Sequence, residues 1–185
     1  LSREEAIRQI IFSFPEDSIF ISSTGYISRE LYEIRTQLEH DHDCDFLTVG
    51  SMGHSSQIAL GIALSKEDKT IVCLDGDGAM IMHMGGLVTN GINGTQNLFH
   101  IILNNSVHDS VGGQPTSGFK IDATTIANGC RYKNVFGPVS SINEIKTVLK
   151  KMRKDKGPNF LEIRIKPGAR SDLGRPKEKP FQNKE

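Results

Sequence analysis

Short apolar runs punctuate this chain, separated by stretches whose apolar positions recur every three or four residues. Thr70–Leu74 and Phe99–Leu103 are almost continuously apolar, the pattern of strands covered on both faces. Ile19–Ile21, Phe46–Val49, Tyr132–Val135 and Phe160–Ile165 predict four more strands. The intervening segments read as helices. Ser2-Arg3-Glu4-Glu5 is a capping box, followed by the stripe Ile7, Ile10, Ile11 and Phe14 and stopped by Pro15. Ser28–Leu38, Ser55–Leu64 and Asp122–Asn128 predict single helices, and Met80–Thr89 one or two. Ser141–Glu144 forms a second capping box ahead of Ile145, Val148, Leu149 and Met152. Strands alternating with helices imply an α/β fold: a doubly wound, mostly parallel sheet with helices on both faces. One domain is expected over residues 1–165. From Lys166 to residue 185 the composition turns polar and rich in Pro and Gly, predicting a disordered tail.

Composition narrows the partners. Lys+Arg and Asp+Glu each number 22, so the formal net charge is zero, which argues against a nucleic-acid or anionic-membrane surface. No apolar stretch approaches the roughly 20 residues of a membrane-spanning helix, and no signal peptide is seen. Cys44, Cys73 and Cys130 are an odd, scattered set, which suggests reduced thiols and a cytoplasmic protein. The chain opens on Leu1, so it is compatible with a fragment of a longer protein.

The chemistry gathers at the ends of the apolar strands. Gly76-Asp77-Gly78 follows the run ending at Asp75, and Asn104-Asn105 ends the next run after 25 intervening residues. Open α/β sheets bind ligands beyond the carboxyl ends of their strands. A carboxylate, a carboxamide oxygen and backbone amides there suit a magnesium ion carrying a diphosphate. Gly76-Asp77-Gly78 alone would be an ordinary turn; the asparagine pair on the following strand is what gives it chemical meaning. A dinucleotide fingerprint is excluded, because it needs a third small residue where Ile81 stands. Two further strand-end loops, Ser23-Thr24-Gly25 and Gly50-Ser51-Met52-Gly53, are expected on the same side.

These motifs resemble the diphosphate-binding (PP) domain of thiamine-diphosphate-dependent 2-oxo-acid decarboxylases, over about Ser2 to Ile165. Ser23–Tyr26 with Arg29–Tyr32, Gly50–Gly53 and Val107–Gln114 are similar to the branch acting on 3-phosphonopyruvate, and somewhat less to the branch acting on 3-sulfopyruvate. The resemblance implies thiamine diphosphate and Mg2+ as cofactors. It implies that Asp77 and Asn105 ligate magnesium through side chains and Val107 through its carbonyl. Gly76, Gly78 and Ala79 would cradle the diphosphate, with Thr24 and Gly25 nearby. Within the Gly50-Ser51-Met52 loop, Gly50 would offer its carbonyl to the aminopyrimidine, and Met52 would prop the cofactor in its bent shape. His108 and Asp109 would lie beside the reactive ring and contact a small anionic 2-oxo acid. The resemblance further implies a homo-oligomer and a PYR domain or subunit that carries an activating glutamate.

Other residues read more plainly. Glu30, Glu33 and Glu39 are expected on a solvated helix face. His40–Asp45 alternates donors but lacks zinc spacing and reads as a solvated loop. His54 is expected at a helix end, and Met80, Met82 and Met84 as core fillers. Arg170 and Arg175 are the cations of the tail that could reach an anionic substrate.

Overall fold

A computed structural model describes residues 1–176 of the chain. Six strands form one sheet: β1 (Ile19–Ser22), β2 (Asp45–Leu47), β3 (Ile71–Gly76), β4 (Leu98–Asn104), β7 (Asn134–Val139) and β8 (Asn159–Arg164). Their order is β2-β1-β3-β4-β8-β7 and every pairing is parallel. A two-stranded hairpin, β5 (Val107–His108) with β6 (Gln114–Pro115), stands apart from it. All seven residues of β4 are buried, as its unbroken apolar run requires.

Alternation along the strands sorts the core into two layers. Phe20, Val72, Leu74, Phe99, Ile101 and Leu161 face α1 (Arg3–Ser13), α2 (Tyr26–Gln37) and α7 (Ile142–Met152). Ile21, Ile71, Cys73 and Leu98 face α3 (Ser55–Ser65). Ile102 and Phe160 face α4 (Asp77–Met82), α5 (Gly85–Asn93) and α6 (Ala123–Gly129). Both capping boxes form, at Ser2 with Glu5 and at Ser141 with Glu144. Asp122 caps α6 from one residue outside it, its carboxylate accepting the Thr125 amide at 2.8 Å.

Several expectations shift by a few residues for identifiable reasons. β2 stops at Leu47 because, among the described residues, β1 is its one partner, and Val49 is 94% exposed. β3 runs on through Asp75 and Gly76, so that Asp77 begins α4 directly. β7 lies at Asn134–Val139 rather than Tyr132–Val135 because it takes its register from β8.

Two segments differ from expectation more substantially. Glu30 is not solvated: it is 3% exposed and receives Arg3 Nε at 3.0 Å and Nη2 at 3.1 Å. The segment 166–176 is not free either. The Lys166 amide bonds the Leu1 carbonyl, Arg170 pairs with Glu4, Glu33 and Asp172, and the Gly174 amide bonds Glu33. Residues 177–185, the rest of the predicted tail, lie outside the described residues. No helix among the described residues is long and apolar enough to cross a membrane.

Candidate functional site

β1 is followed in the chain by a strand on one side of it and β3 by a strand on the other, so the order of strand addition reverses between them. The loops leaving β1 and β3 therefore diverge and leave a crevice at the switch point. The Thr24-Gly25 loop follows β1 and the Gly76-Asp77 turn follows β3. All four strand-end loops identified from the sequence meet here. The Gly50 amide donates to Thr24 Oγ1 at 3.3 Å. A Cβ on Gly53 would fall 2.9 Å from the Ala79 carbonyl, and one on Gly25 would fall 2.8 Å from Ser110 Oγ. A Cβ on Gly78 would fall 2.5 Å from His108 Cε1. Glycine at positions 25, 53 and 78 is what lets these loops approach so closely. Gly50 and Ser51 hold left-handed φ angles of 75° and 49°, which turn this loop back toward Thr24.

Asp77 is 2% exposed, and its carboxylate lies where α4 begins. Oδ1 accepts the Asn105 amide at 3.3 Å, while Oδ2 accepts the Thr116 hydroxyl. Burial raises its pKa above the ordinary aspartate value, a shift that the Thr116 hydrogen bond partly opposes. Asn105 is 5% exposed; its Oδ1 accepts the Val107 amide at 3.2 Å. The two predicted ligand residues are therefore in direct contact, with Val107 beside them. This all-oxygen donor set suits a hard divalent cation, and a desolvated carboxylate is what such a cation would compensate. The first amides of α4 have no intrahelical acceptors, and no side chain caps Gly76. Gly78 and Ala79 thus present amides of the kind that bind phosphate oxygens.

Beneath the turn lies a fully buried polar chain. Asp75 Oδ1 accepts the Gly76 amide at 2.9 Å, Asp75 Oδ2 lies 3.5 Å from His100 Nε2, and His100 Nδ1 is 2.8 Å from the Tyr132 hydroxyl. Cys73 joins Asp75 and His100 within 4.8 Å. Burial holds the Cys73 thiol well above its usual pKa, in the neutral form that is a poor metal ligand.

A cavity of about 360 Å3 opens beside Gly78, lined also by His108, Thr116, Ser117 and Lys120. Lys120, Thr116 and Gly118 were not singled out from sequence, because no periodicity or spacing connects them to Asp77. The second member of the pair His108-Asp109 points elsewhere. Asp109 Oδ2 is held by Arg3, Asn105 and the Gly168 amide, so His108 is the one that faces the cavity. Met52 is partly buried, and its carbonyl lies 3.3 Å from His54 Nδ1. His54 itself lies against His83, with ring centroids 4.4 Å apart and the rings tilted by 36°. A second cavity of about 460 Å3 lies between α1 and α7, lined by Phe12 and basic side chains, and touches none of the strand-end loops.

The Gly118 site permits a stability test. Its Cβ would collide with Asp77 Oδ2 and Asn104 Oδ1. Asn104 is itself fixed, donating to the Gly118 carbonyl and to buried Glu162 at 2.9 Å each. Gly118→Ala is therefore expected to destabilise the chain by about 1–3 kcal/mol, as overpacking does. Thermal melting measures this, and an unchanged midpoint would contradict the packing.

Comparison with known proteins matches these features to one family. The family model "Thiamine pyrophosphate enzyme, C-terminal TPP binding domain" matches residues 24–163. The phosphonopyruvate decarboxylase of Streptomyces viridochromogenes is 36% identical over 181 residues, 98% of this chain and 44% of that protein. The sulfopyruvate decarboxylase subunit beta of Methanothermobacter thermautotrophicus is 37% identical over 168 residues, 91% of this chain and 84% of that subunit. The chain thus spans less than half the length of the first relative and most of the second. Among solved structures, benzoylformate decarboxylase from Polynucleobacter necessarius shares the fold with a TM-score of 0.76, at 16% identity, over 92% of this chain and 34% of that one.

Proposed function

The chain belongs to the family of thiamine pyrophosphate enzyme C-terminal TPP binding domains, and we propose that it is the cofactor-binding half of a cytoplasmic decarboxylase. The reaction is conversion of 3-phosphonopyruvate to phosphonoacetaldehyde and carbon dioxide. The observation that carries this reading is the contact between Asp77 and Asn105 at the switch point. The similarity to a phosphonopyruvate decarboxylase over 98% of the chain supports the substrate.

Asp77 and Asn105 would hold Mg2+ through their side-chain oxygens, together with the Val107 carbonyl. The Gly76–Ala79 turn would take the diphosphate on its amides, with Thr24 and Gly25 nearby. The Gly50 carbonyl would receive the aminopyrimidine, and Met52, carried by the loop that Ser51 turns in its left-handed conformation, would support the cofactor. When bound, thiamine diphosphate supplies the electron sink that lets the carboxylate leave as carbon dioxide. His108 and Lys120 line the cavity beside Gly78 and give it the donors that an anionic substrate group needs. Arg170 is removed from that role, since Glu4, Glu33 and Asp172 hold its guanidinium. The active unit includes a PYR domain or subunit bearing the activating glutamate, in a homo-oligomeric assembly.

The second reading is the beta subunit of a sulfopyruvate decarboxylase, favoured by a similarity that runs over 84% of that relative's length. Kinetics of the assembled enzyme with 3-phosphonopyruvate, 3-sulfopyruvate and pyruvate separate the two. His108→Ala is expected to raise KM for phosphonopyruvate about tenfold or more, the cost of a charge-assisted hydrogen bond, and to leave KM for pyruvate nearly unchanged. Equal effects on both substrates would remove His108 as the anion contact. Preference for 3-sulfopyruvate in the unsubstituted enzyme would select the second reading.

A further inference from the structure

A metal-bound asparagine must present its oxygen and turn its amide nitrogen away. The geometry around Asn105 points to a device that enforces this, and we propose Asp109 and Arg3 as positioning residues for the magnesium site. The inference rests on the reading of Asp77 and Asn105 as magnesium ligands.

Asn105 Nδ2 donates to Asp109 Oδ2 at 2.7 Å, and Asn105 Oδ1 accepts the Val107 amide at 3.2 Å. Reversing the carboxamide would set Oδ1 against a carboxylate and the NH2 group against an N–H. Both contacts would become repulsive, so one orientation is selected. Asp109 can impose that choice only if it is itself immobile. Its Oδ2 also receives Arg3 Nη1 at 3.0 Å and the Gly168 amide at 2.9 Å. Arg3 is 4% exposed and is locked from its other edge by Glu30, and its Nη2 also reaches the Gly168 carbonyl at 3.1 Å. A planar guanidinium held by two carboxylates and a carbonyl has little freedom to rotate.

The consequence reaches beyond one side chain. Arg3 lies in the first turn of α1 and Gly168 just after β8, so the first helix and the segment following the last strand are joined at Asp109. The chain closes on itself at the residue that aims Asn105. The Arg3 guanidinium and the Gly168 amide are therefore coupled to the competence of the metal site through Asp109, although neither contributes a ligand.

The test uses the 185-residue chain, and its readouts are Mg2+ affinity at saturating thiamine diphosphate, by calorimetry, and the Asn105 side-chain amide signals of the unliganded chain, by NMR. Asp109→Ala is expected to weaken Mg2+ about 10- to 100-fold, as loss of a residue supporting a metal ligand does. Excess Mg2+ should restore cofactor binding, and the Asn105 signals should shift and broaden. Asp109→Asn, which keeps an acceptor oxygen but not the charge, should lose less. Arg170→Ala loosens the same terminal segment through Glu4 and Glu33 without touching Asp109, so it should lower the melting temperature and leave Mg2+ affinity unchanged. Wild-type Mg2+ affinity or unmoved Asn105 signals in Asp109→Ala overturn the proposal. So does an equal loss of affinity in Arg170→Ala, which would make the effect one of general stability. Asp77→Ala tells the two failures apart: retained affinity there overturns the metal-site reading itself, whereas lost affinity there with wild-type affinity in Asp109→Ala overturns only the positioning role.

Discussion

Asp77→Ala is expected to abolish magnesium-dependent binding of thiamine diphosphate, with a loss greater than about 100-fold, the upper end of what removal of a merely supporting residue costs. Asp77 supplies the only negative charge in the proposed ligand set, since Asn105 and the Val107 carbonyl are neutral. Its carboxylate is nearly out of solvent, and burial has raised its pKa. The sign of that shift makes two further results follow. A carboxylate whose folded pKa lies above its unfolded value of about 3.9 stabilises the fold below that value and loses the contribution as pH rises through the folded pKa. In the metal-free chain at neutral pH, ionised Asp77 therefore opposes folding, and a bound cation offsets this. Magnesium should raise the melting temperature at neutral pH, and its affinity should fall on acidification as protons compete for the carboxylate. Asp77→Asn should melt at or above the wild-type temperature without metal and show no response to magnesium. Calorimetry and melting curves across pH measure all of this, and a folded Asp77→Ala variant that binds cofactor as the wild type does would remove Asp77 from the site.

What made Asp77 and Asn105 legible was local. Each follows a buried strand, and the interval between them is the length of one strand-helix-strand crossover, so sequence distance translated directly into spatial contact. The same holds for the capping boxes, whose partners lie three residues apart. Residues whose roles depend on distant partners were not legible. Glu30 reads as a surface position of a polar helix until Arg3, 27 residues away, occupies its carboxylate. Thr116 and Gly118 belong to a loop without periodicity, and only the return of that loop over α4 brings them against Asp77. The basic, Gly-rich composition after Lys166 signals disorder in isolation. The acceptors that order it, Glu4, Glu33 and Asp109, come from three other parts of the chain. Asp45 inverts its expectation for the same reason. In a tract read as a solvated loop, its carboxylate is 1% exposed and pairs with buried Arg35 at 3.2 Å.

The chain by itself should not catalyse decarboxylation, and mixing it with a PYR partner should restore turnover by a factor of about 100 to 10,000, the range that a positioned acid or base contributes. Within the described residues the carboxylates near the crevice already have partners. Glu30 is clamped by Arg3, Glu33 by Arg170 and the Gly174 amide, and Asp109 by three donors. Burial also raises the Glu30 pKa, against the attraction of Arg3. Asp77 is committed to the metal in the proposed site. None of these groups is left to polarise the aminopyrimidine that the proposed site would place beside Gly50 and Met52. The crevice is open as well: Val49, Met82 and Val111 expose 94%, 60% and 71% of their surface around the strand-end loops. Apolar side chains so placed suit burial against another protein, and that burial would also take water away from the reacting carbon. The measurement is carbon dioxide release from 3-phosphonopyruvate by the purified chain with thiamine diphosphate and Mg2+, before and after addition of a separately produced PYR domain. Activity should appear only on mixing, and a Val111→Asp substitution at the rim should weaken the association and reduce the activity gained. Full turnover by this chain alone would mean that it holds its own activating acid, and that the proposed division of the site between two polypeptide units is wrong.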